Sequence, residues 1–382
     1  MRFHSLVPQH AICNPDYVGC AYTQKALKFA KMMTDRGHEV FTYSTEGMST
    51  QSTEDVVVVD TQTYESIYGD HDYRKKFFRF DQNDLVYKTY NATAVAEIQK
   101  RKQPGDFLLP WWGSGNRAIC DFHSDMITVE PGIGYAGGHW ARYKIFESYA
   151  IYHAYCGLQR VGSCDQNNYE CVIPNFFDPA DFEFRQDKQD YFLFLGRVYS
   201  GKGVHIVTQL AERMPDQRFI IAGQNPDNLT FPANVEFVGY ADTATRRALM
   251  SHARAAFVPS QYVEPFGGVQ VELLLSGTPT ITSDWGAFAE NNLHGITGYR
   301  CRTFDHYLWA AQNINQIDPE ACRTWGENFL LDQVAPAYEE YFEMVQDIHG
   351  GEGWYQLHPD RTNMSWLSRS YPESTKTAKK PQ

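Results

Sequence analysis

The chain has 382 residues, a formal net charge of -12, 43% apolar and 21% charged residues, and aromatics at 15%. That length favours two domains with cores of their own, and the composition excludes a largely disordered chain. The acidic excess argues against a general coat for nucleic acid or anionic membrane, which attract Lys and Arg, and leaves room for a local basic patch.

No run comes near the ~18 consecutive apolar residues of a spanning helix. The opening residues 1–8 lack a charged segment followed by a long apolar one, so they do not read as a signal peptide. Eight cysteines (Cys13, Cys20, Cys120, Cys156, Cys164, Cys171, Cys301, Cys322) are scattered with no C-x-x-C. They read as reduced thiols of a cytoplasmic protein, not as a zinc site or a disulfide frame.

From the start, short β-type runs alternate with helical patterns. Residues 3–7 read as a strand ending at Pro8, followed by a loop with Gly19. Residues 22–36 read as a helix stopped by Gly37. Residues 39–43 and 55–60 are expected strands, 84–102 a helix, 106–109 and 126–129 short strands, and 140–155 a helix. A boundary falls at 173–179, where two prolines flank a turn. A new series follows, with strands at 191–195, 218–222, 235–238, 255–258 and 278–282 and helices between them. Residues 319–331 and 336–349 read as helices, and the polar tail from Ser368 as disorder. The pattern predicts an α/β protein of two doubly wound, Rossmann-like domains, with a ligand cleft at the carboxyl ends of the strands.

Two clusters carry chemistry. In the first, a strand ends at Gly196, a loop with Arg197, Lys202 and Gly203 follows, and a helix opens at Val204. Loop amides, a helix N-terminus and two cations suit a phosphate, though the spacing is not that of a Walker loop. A plain βα turn with solvated charges has the same pattern. In the second, Glu264-Pro265-Phe266-Gly267-Gly268-Val269 leads to Glu272. The glycines let backbone amides approach a ligand. An acidic residue complementing a helix dipole, beside a surface glutamate, is the plainer alternative.

Together these residues resemble the retaining nucleotide-sugar glycosyltransferases of GT-B fold, group 1 (family four). The matching phrases are Gly196-Arg197…Lys202-Gly203, Glu264-Pro265-Phe266-Gly267…Glu272, Ser276-Gly277-Thr278-Pro279, Trp285-Gly286-Ala287-Phe288-Ala289-Glu290, Gly295-Ile296-Thr297-Gly298-Tyr299 and Ile173-Pro174-Asn175…Asp178. The match is dense over 173–302. Before that, Gly37-His38-Glu39-Val40 agrees, and Glu130-Pro131-Gly132-Ile133-Gly134-Tyr135 and Phe146-Glu147-Ser148-Tyr149 are similar to a phage and bacterial subgroup.

The resemblance implies a division into an acceptor domain (1–178), a nucleotide-sugar domain (179–335), and a C-terminal helix crossing back to the first domain with a polar tail (336–382). It implies that Arg197 and Lys202 hold the donor diphosphate and that Glu264 contacts the donor sugar. Gly196 belongs to the donor-binding loop that it opens, the amides of Phe266, Gly267, Gly268 and Val269 bond sugar or phosphate oxygens, and Glu272 binds the ribose. Gly239 and Tyr240 precede the loop facing the base, and Gly19 lies against the phosphates. With two cations at the diphosphate, no metal is needed. The acidic triplet Asp70-His71-Asp72 reads as solvated surface.

Where the family carries a histidine on the N-terminal side of the site, this chain has Glu130, expected to line the site, with His123 and His139 as substitutes. The run Tyr73-Arg74-Lys75-Lys76-Phe77-Phe78-Arg79-Phe80 interleaves cations and rings. Its Arg74, Lys75, Lys76 and Arg79, extended by Lys25, Lys28 and Lys31, suit an acceptor contact with a membrane surface or nucleic acid. A solvated helix with aromatic anchors also explains it. The implied reaction moves a hexose-type sugar from a UDP- or GDP-linked donor to a hydroxyl acceptor, with retention. The acceptor is a lipid-linked or polysaccharide glycan, or a hydroxymethylated base in DNA. A glycoside phosphorylase and a non-catalytic nucleotide-sugar binding protein are the alternatives on the same fold.

Overall fold

A computed structural model of the chain describes residues 1–76, 79–134, 138–159 and 170–350. Phe77, Phe78, Tyr135, Cys164 and the tail from Ser368 lie outside the described residues. Met1–Val334 forms one compact unit that holds both sheets, and the described residues from Ala335 belong to a second.

The N-terminal half contributes β1 (Arg2–Leu6), α1 (Ala21–Asp35), β2 (Glu39–Thr45), β3 (Glu54–Val59), α2 (Thr61–Tyr68), α3 (Leu85–Arg101), β4 (Phe107–Pro110), α4 (Arg117–Phe122), β5 (Ile127–Ile133), β6 (Tyr143–Phe146), α5 (Tyr149–Gln159) and β7 (Glu170–Val172). Its seven strands pair in parallel in the order β3-β2-β1-β4-β5-β6-β7. The strands read as near-continuous apolar runs because helices cover both faces of the sheet. Phe107, Leu108 and Leu109 in β4 are fully buried, and Phe3 packs edge-on against Phe29 of α1 at 5.4 Å.

The C-terminal half contributes β8 (Tyr191–Leu195), α6 (Val204–Arg213), β9 (Arg218–Ala222), β10 (Val235–Gly239), α7 (Thr243–His252), β11 (Ala255–Val258), α8 (Gly268–Leu275), β12 (Thr280–Ser283), α9 (Phe288–Asn291), β13 (Gly298–Cys301), α10 (Phe304–Asn313) and α11 (Pro319–Gly326). Its six-stranded parallel sheet has the order β10-β9-β8-β11-β12-β13. Phe192 of β8 packs against Phe219 and Phe257 with both ring centroids 5.3 Å away, joining three adjacent strands. A last helix, α12 (Leu331–Gly350), begins at the end of the first unit and continues into the second.

Both sheets reverse their winding at one point, between β1 and β4 in the first and between β8 and β11 in the second. Loops leaving neighbouring strands at such a point diverge and open a crevice at the strands' carboxyl ends. The passage between the sheets, 173–190, contains the expected boundary. Phe177 there exchanges backbone hydrogen bonds with Phe329 and Leu331, at 2.9 and 3.0 Å, which ties it to the C-terminal half.

Three expected elements differ. Residues 140–155, read as one helix, contain strand β6 and then α5 from Tyr149. Tyr143–Phe146 is buried along its length and satisfies its backbone between β5 and β7, so sheet pairing overrides a helix-compatible local pattern. The helix expected over 319–331 ends at Gly326, and the one expected from Pro336 starts at Leu331. Helix α2 has no counterpart in the sequence reading. It starts because the Asp60 side chain accepts the Thr63 N–H at 2.7 Å, a regular N-cap. Cys13, Cys20, Cys120, Cys301 and Cys322 are buried thiols. Among the described residues no helix is long and apolar enough to cross a membrane.

Candidate functional site

The two winding reversals face one cleft of about 950 Å³, within the roughly 300–1,000 Å³ typical of small-molecule sites. One wall comes from the N-terminal half: the loop after β1 with Gly19, helix α1, and Gly134 and Glu147 beyond β5 and β6. The other comes from the β8–α6 loop with Arg197, Tyr199 and Lys202, and from Tyr262 to Val269 ahead of and into α8. Asn175, Phe177 and Asp178 also line the cleft. Six Lys or Arg residues and six Asp or Glu residues line it, so the cleft is balanced in a chain that is acidic as a whole.

Two helix N-termini meet there. Cys20 precedes α1 without a side-chain cap, and Gly19, Cys20, Ala21 and Tyr22 all line the cleft. Gly267 precedes α8 with φ +82, in the left-handed region, and a Cβ there would come within 2.5 Å of the Phe288 ring. Only glycine turns the chain so tightly into that helix. The leading amides of each helix carry partial positive charge and lack intrahelical acceptors, which makes such ends anion sites.

The charged side chains of the C-terminal wall are already organised. Lys202 lies 3.0 Å from Glu264 Oε2 and 3.3 Å from Oε1, and its ammonium stands 4.9 Å from the Tyr262 ring centroid. Ser260 Oγ donates to the same Glu264 Oε2 at 2.7 Å. Arg197 stacks 5.2 Å from the Tyr199 ring centroid. On α8, Glu272 is bound by Arg246 of α7 at 2.5 Å. The structure thus brings Gly19, Arg197, Lys202, Glu264, Phe266, Gly267, Gly268, Val269 and Glu272 into one cleft.

Other expected site residues stand elsewhere. Gly196 and Gly239 lie at the ends of β8 and β10, outside the cleft lining, and Tyr240 packs edge-on against Tyr73 at 6.3 Å. Glu130 is fully buried and absent from the lining. Its carboxylate accepts the backbone N–H groups of His139, Trp140 and Ala141 at 2.9, 2.8 and 2.8 Å. Burial raises its pKa to about 7, although the three amides favour the charged form. Glu130 therefore holds the 139–141 loop and does not face a ligand in the cleft. His123 donates from Nε2 to Val95 O at 3.1 Å, and neither it nor His139 lines the cleft.

The described residues of the basic run also lie outside the lining. Lys75 pairs with Asp72 at 3.4 Å and Arg79 with Asp70 at 2.6 Å, so the neighbouring acidic triplet offsets much of its charge. The backbone of the same run takes part in the meeting of the two halves, where the Gln224 amide donates to the carbonyls of Tyr73 and Lys76. Arg74 lies against the Tyr73 ring at 5.6 Å. Lys25, Lys28 and Lys31 belong to the cleft and not to this patch. Lys28 donates to Phe176 O at 2.5 Å and sits 4.1 Å from the Phe177 ring centroid, and loss of water lowers its pKa to about 8.

Sequence reasoning missed Glu147. It follows β6 directly, at a strand's carboxyl end, and was hidden because that strand read as helix. Glu290 is a second omission. From α9 its carboxylate accepts the first amides of α5, Tyr149 N at 3.0 Å and Ala150 N at 2.8 Å, and so links the two halves.

A family profile for glycosyl transferases group 1 matches residues 178–328. The chain is 36% identical over 167 residues to the glycogen synthase of Mycobacterium tuberculosis, covering 39% of this chain and 40% of that protein. It is 32% identical over 168 residues to the phosphatidyl-myo-inositol mannosyltransferase of Mycolicibacterium smegmatis, covering 40% and 44%. These matches thus span about two fifths of the length of the curated relatives. The fold extends the likeness. Sucrose-phosphate synthase from Thermosynechococcus elongatus superposes with a TM-score of 0.66 at 17% identity, over 90% of this chain and 99% of that one. Anabaena HepE in complex with UDP-glucose superposes with a TM-score of 0.63 at 16% identity, over 90% and 99%. The chain has the GT-B fold, and its residues 178–328 match the glycosyl transferases group 1 family.

Proposed function

We propose that the protein is a glycosyltransferase that takes a hexose-type sugar from a nucleoside diphosphate sugar and passes it, with retention, to a hydroxyl of a glycan or lipid-linked glycan. The observation that carries this reading is the pairing of Lys202 with Glu264 at 3.0 Å, beside Arg197 and the first turn of α8, in one cleft. HepE, a protein of the same fold, has been solved with UDP-glucose bound, which supports a donor of this class.

Breaking the bond between the anomeric carbon and the diphosphate leaves new negative charge on the leaving group. Arg197, Lys202 and the amides at the start of α8 are fixed cations and dipoles aimed at that charge, and they stabilise the transition state. They carry this load without a metal. Donor binding engages Lys202 and frees the Glu264 carboxylate to accept sugar hydroxyls. Glu272, steadied by Arg246, accepts the two ribose hydroxyls. The freed Glu264, still bonded by Ser260 Oγ, binds the sugar's hydroxyls and does not attack its anomeric carbon. The acceptor hydroxyl instead approaches the face that the diphosphate leaves, and a phosphate oxygen takes its proton. The local matching of Lys75 and Arg79 by acidic neighbours favours a glycan over a polyanionic DNA acceptor.

The test is a thermal-shift series with UDP, GDP, ADP and their hexose conjugates, with magnesium and with EDTA. A ligand bound only to the folded state raises the melting temperature by mass action. One base is expected to stand out, with the same shift in EDTA. No shift with any nucleotide overturns the donor reading, and a shift confined to magnesium overturns the metal-free one.

A further inference from the structure

On the N-terminal wall, Lys25 of α1 and Glu147 beyond β6 form an ion pair, Nζ to Oε1, at 2.5 Å. Lys25 also donates to the Gly132 carbonyl at 3.2 Å and lies 4.6 Å from the Tyr22 ring centroid. Each charged side chain is only 5% exposed, yet both line the cleft. We propose that Lys25 and Glu147 form a hydroxyl-binding subsite for the transferred sugar and so help to set donor specificity.

Four observations lead there, resting on the donor reading above. First, a buried ion pair is a poor device for stability, because removing two charges from water can cost more than their attraction returns. Its place on a cleft wall gives it another use. Second, the opposite wall carries the same arrangement, a carboxylate held by an ammonium, in Glu264 and Lys202. The two carboxylates are near enough that Glu264 adds to the upward push that burial exerts on the Glu147 pKa.

Third, the chemistry matches a polyol. A sugar hydroxyl donates one hydrogen bond and accepts others, so it satisfies a carboxylate and an ammonium together. A phosphate has no proton to offer Glu147 at neutral pH and is repelled by it. The diphosphate therefore belongs by Arg197 and the helix ends, and the hydroxylated ring between the two pairs. Fourth, the walls are held in register. Ser148, next to Glu147, donates from Oγ to the Pro265 carbonyl at 2.6 Å, adjacent to Glu264. A Cβ on Gly134 would come within 2.8 Å of Pro265 and 2.9 Å of Glu147 Oε2, so the chain passes closely between them.

The experiment is calorimetric titration of the full chain with UDP, GDP and ADP and with UDP-glucose, GDP-mannose and ADP-glucose. It compares wild type with Glu147→Gln and with the double variant Lys25→Met/Glu147→Leu, which replaces the pair by apolar side chains of similar size. The expected result is a loss of at least about tenfold in affinity for the preferred sugar nucleotide, with the matching nucleoside diphosphate unchanged within about twofold. Unchanged sugar-nucleotide affinity in either folded variant overturns the subsite. So does an equal loss for both ligands, which marks a general effect on the cleft. Failure of both variants to fold marks the pair as structural and overturns it as well. If wild type binds no nucleoside diphosphate, the donor reading fails and takes the subsite with it. Nucleotide binding that survives without sugar discrimination sinks the subsite alone.

Discussion

Lys202 and Glu264 come from different loops, one after β8 and one after β11, and meet at 3.0 Å at the carboxyl edge of the C-terminal sheet. Each holds the other in place. In the proposed function an arriving diphosphate replaces Glu264 as the partner of Lys202. Lys202→Ala is expected to lower kcat/KM by about ten- to a thousandfold, the scale of losing one fixed transition-state donor. Glu264→Gln is expected to remove nearly all transfer with little change in melting temperature. Steady-state release of nucleoside diphosphate and a thermal melt check both, and wild-type kinetics in either variant would remove the pair from the mechanism.

Glu272 is held by Arg246 at 2.5 Å, with both side chains about one fifth exposed. In the proposed function Glu272 bonds the ribose, and losing those charge-assisted bonds would weaken nucleotide binding by roughly tenfold, about 1.4 kcal/mol. Glu272→Gln is therefore expected to raise the Kd of nucleoside diphosphate and of nucleotide sugar alike. Calorimetry with both ligands checks this, and a loss confined to the sugar nucleotide would reassign the residue.

Glu130 makes a pH prediction. Its pKa in the folded protein is raised to about 7 from 4.5, chiefly by burial. Between those values the folded state binds more protons than the unfolded state, so this group's contribution to stability falls as pH rises from about 4.5 to 7. Glu130→Gln removes the titration and part of the support for the 139–141 loop. The melting temperature of wild type should exceed that of the variant by more at pH 5 than at pH 7.5, with donor affinity unchanged in both. An equal gap at the two pH values would contradict the linkage.

The Glu290 carboxylate caps α5 from the opposite half of the molecule. Removing a cap typically costs about 0.5–2 kcal/mol. Glu290→Ala should lower the melting temperature by a few degrees and raise KM for the donor, because the contact also ties the two walls. A variant that melts early with an unchanged KM would limit Glu290 to a local cap.

The C-terminal half was the more legible in the sequence. Its strands are short apolar runs, and its site residues follow strand ends directly: Arg197 two residues after β8 and Glu264 six after β11. Glycines at positive φ mark the turns between them, and residue type alone reveals them. The N-terminal wall depends on pairing between distant segments. Tyr143–Phe146 is a strand because β5 and β7 flank it, which no local pattern shows. With that strand unread, Glu147 had no strand end to mark it. Lys25 and Lys28 were grouped with the basic run by charge, whereas the orientation of α1 turns them into the cleft.

Central to the proposed function is a nucleoside diphosphate received in this cleft through Lys202. The most direct measurement is the Kd of UDP, GDP and ADP by calorimetry for wild type, Lys202→Ala and, as a surface control, Lys75→Ala. The account predicts that one nucleotide binds wild type and Lys75→Ala alike and binds Lys202→Ala at least about tenfold more weakly. No binding to wild type, or equal affinity in Lys202→Ala, would contradict it.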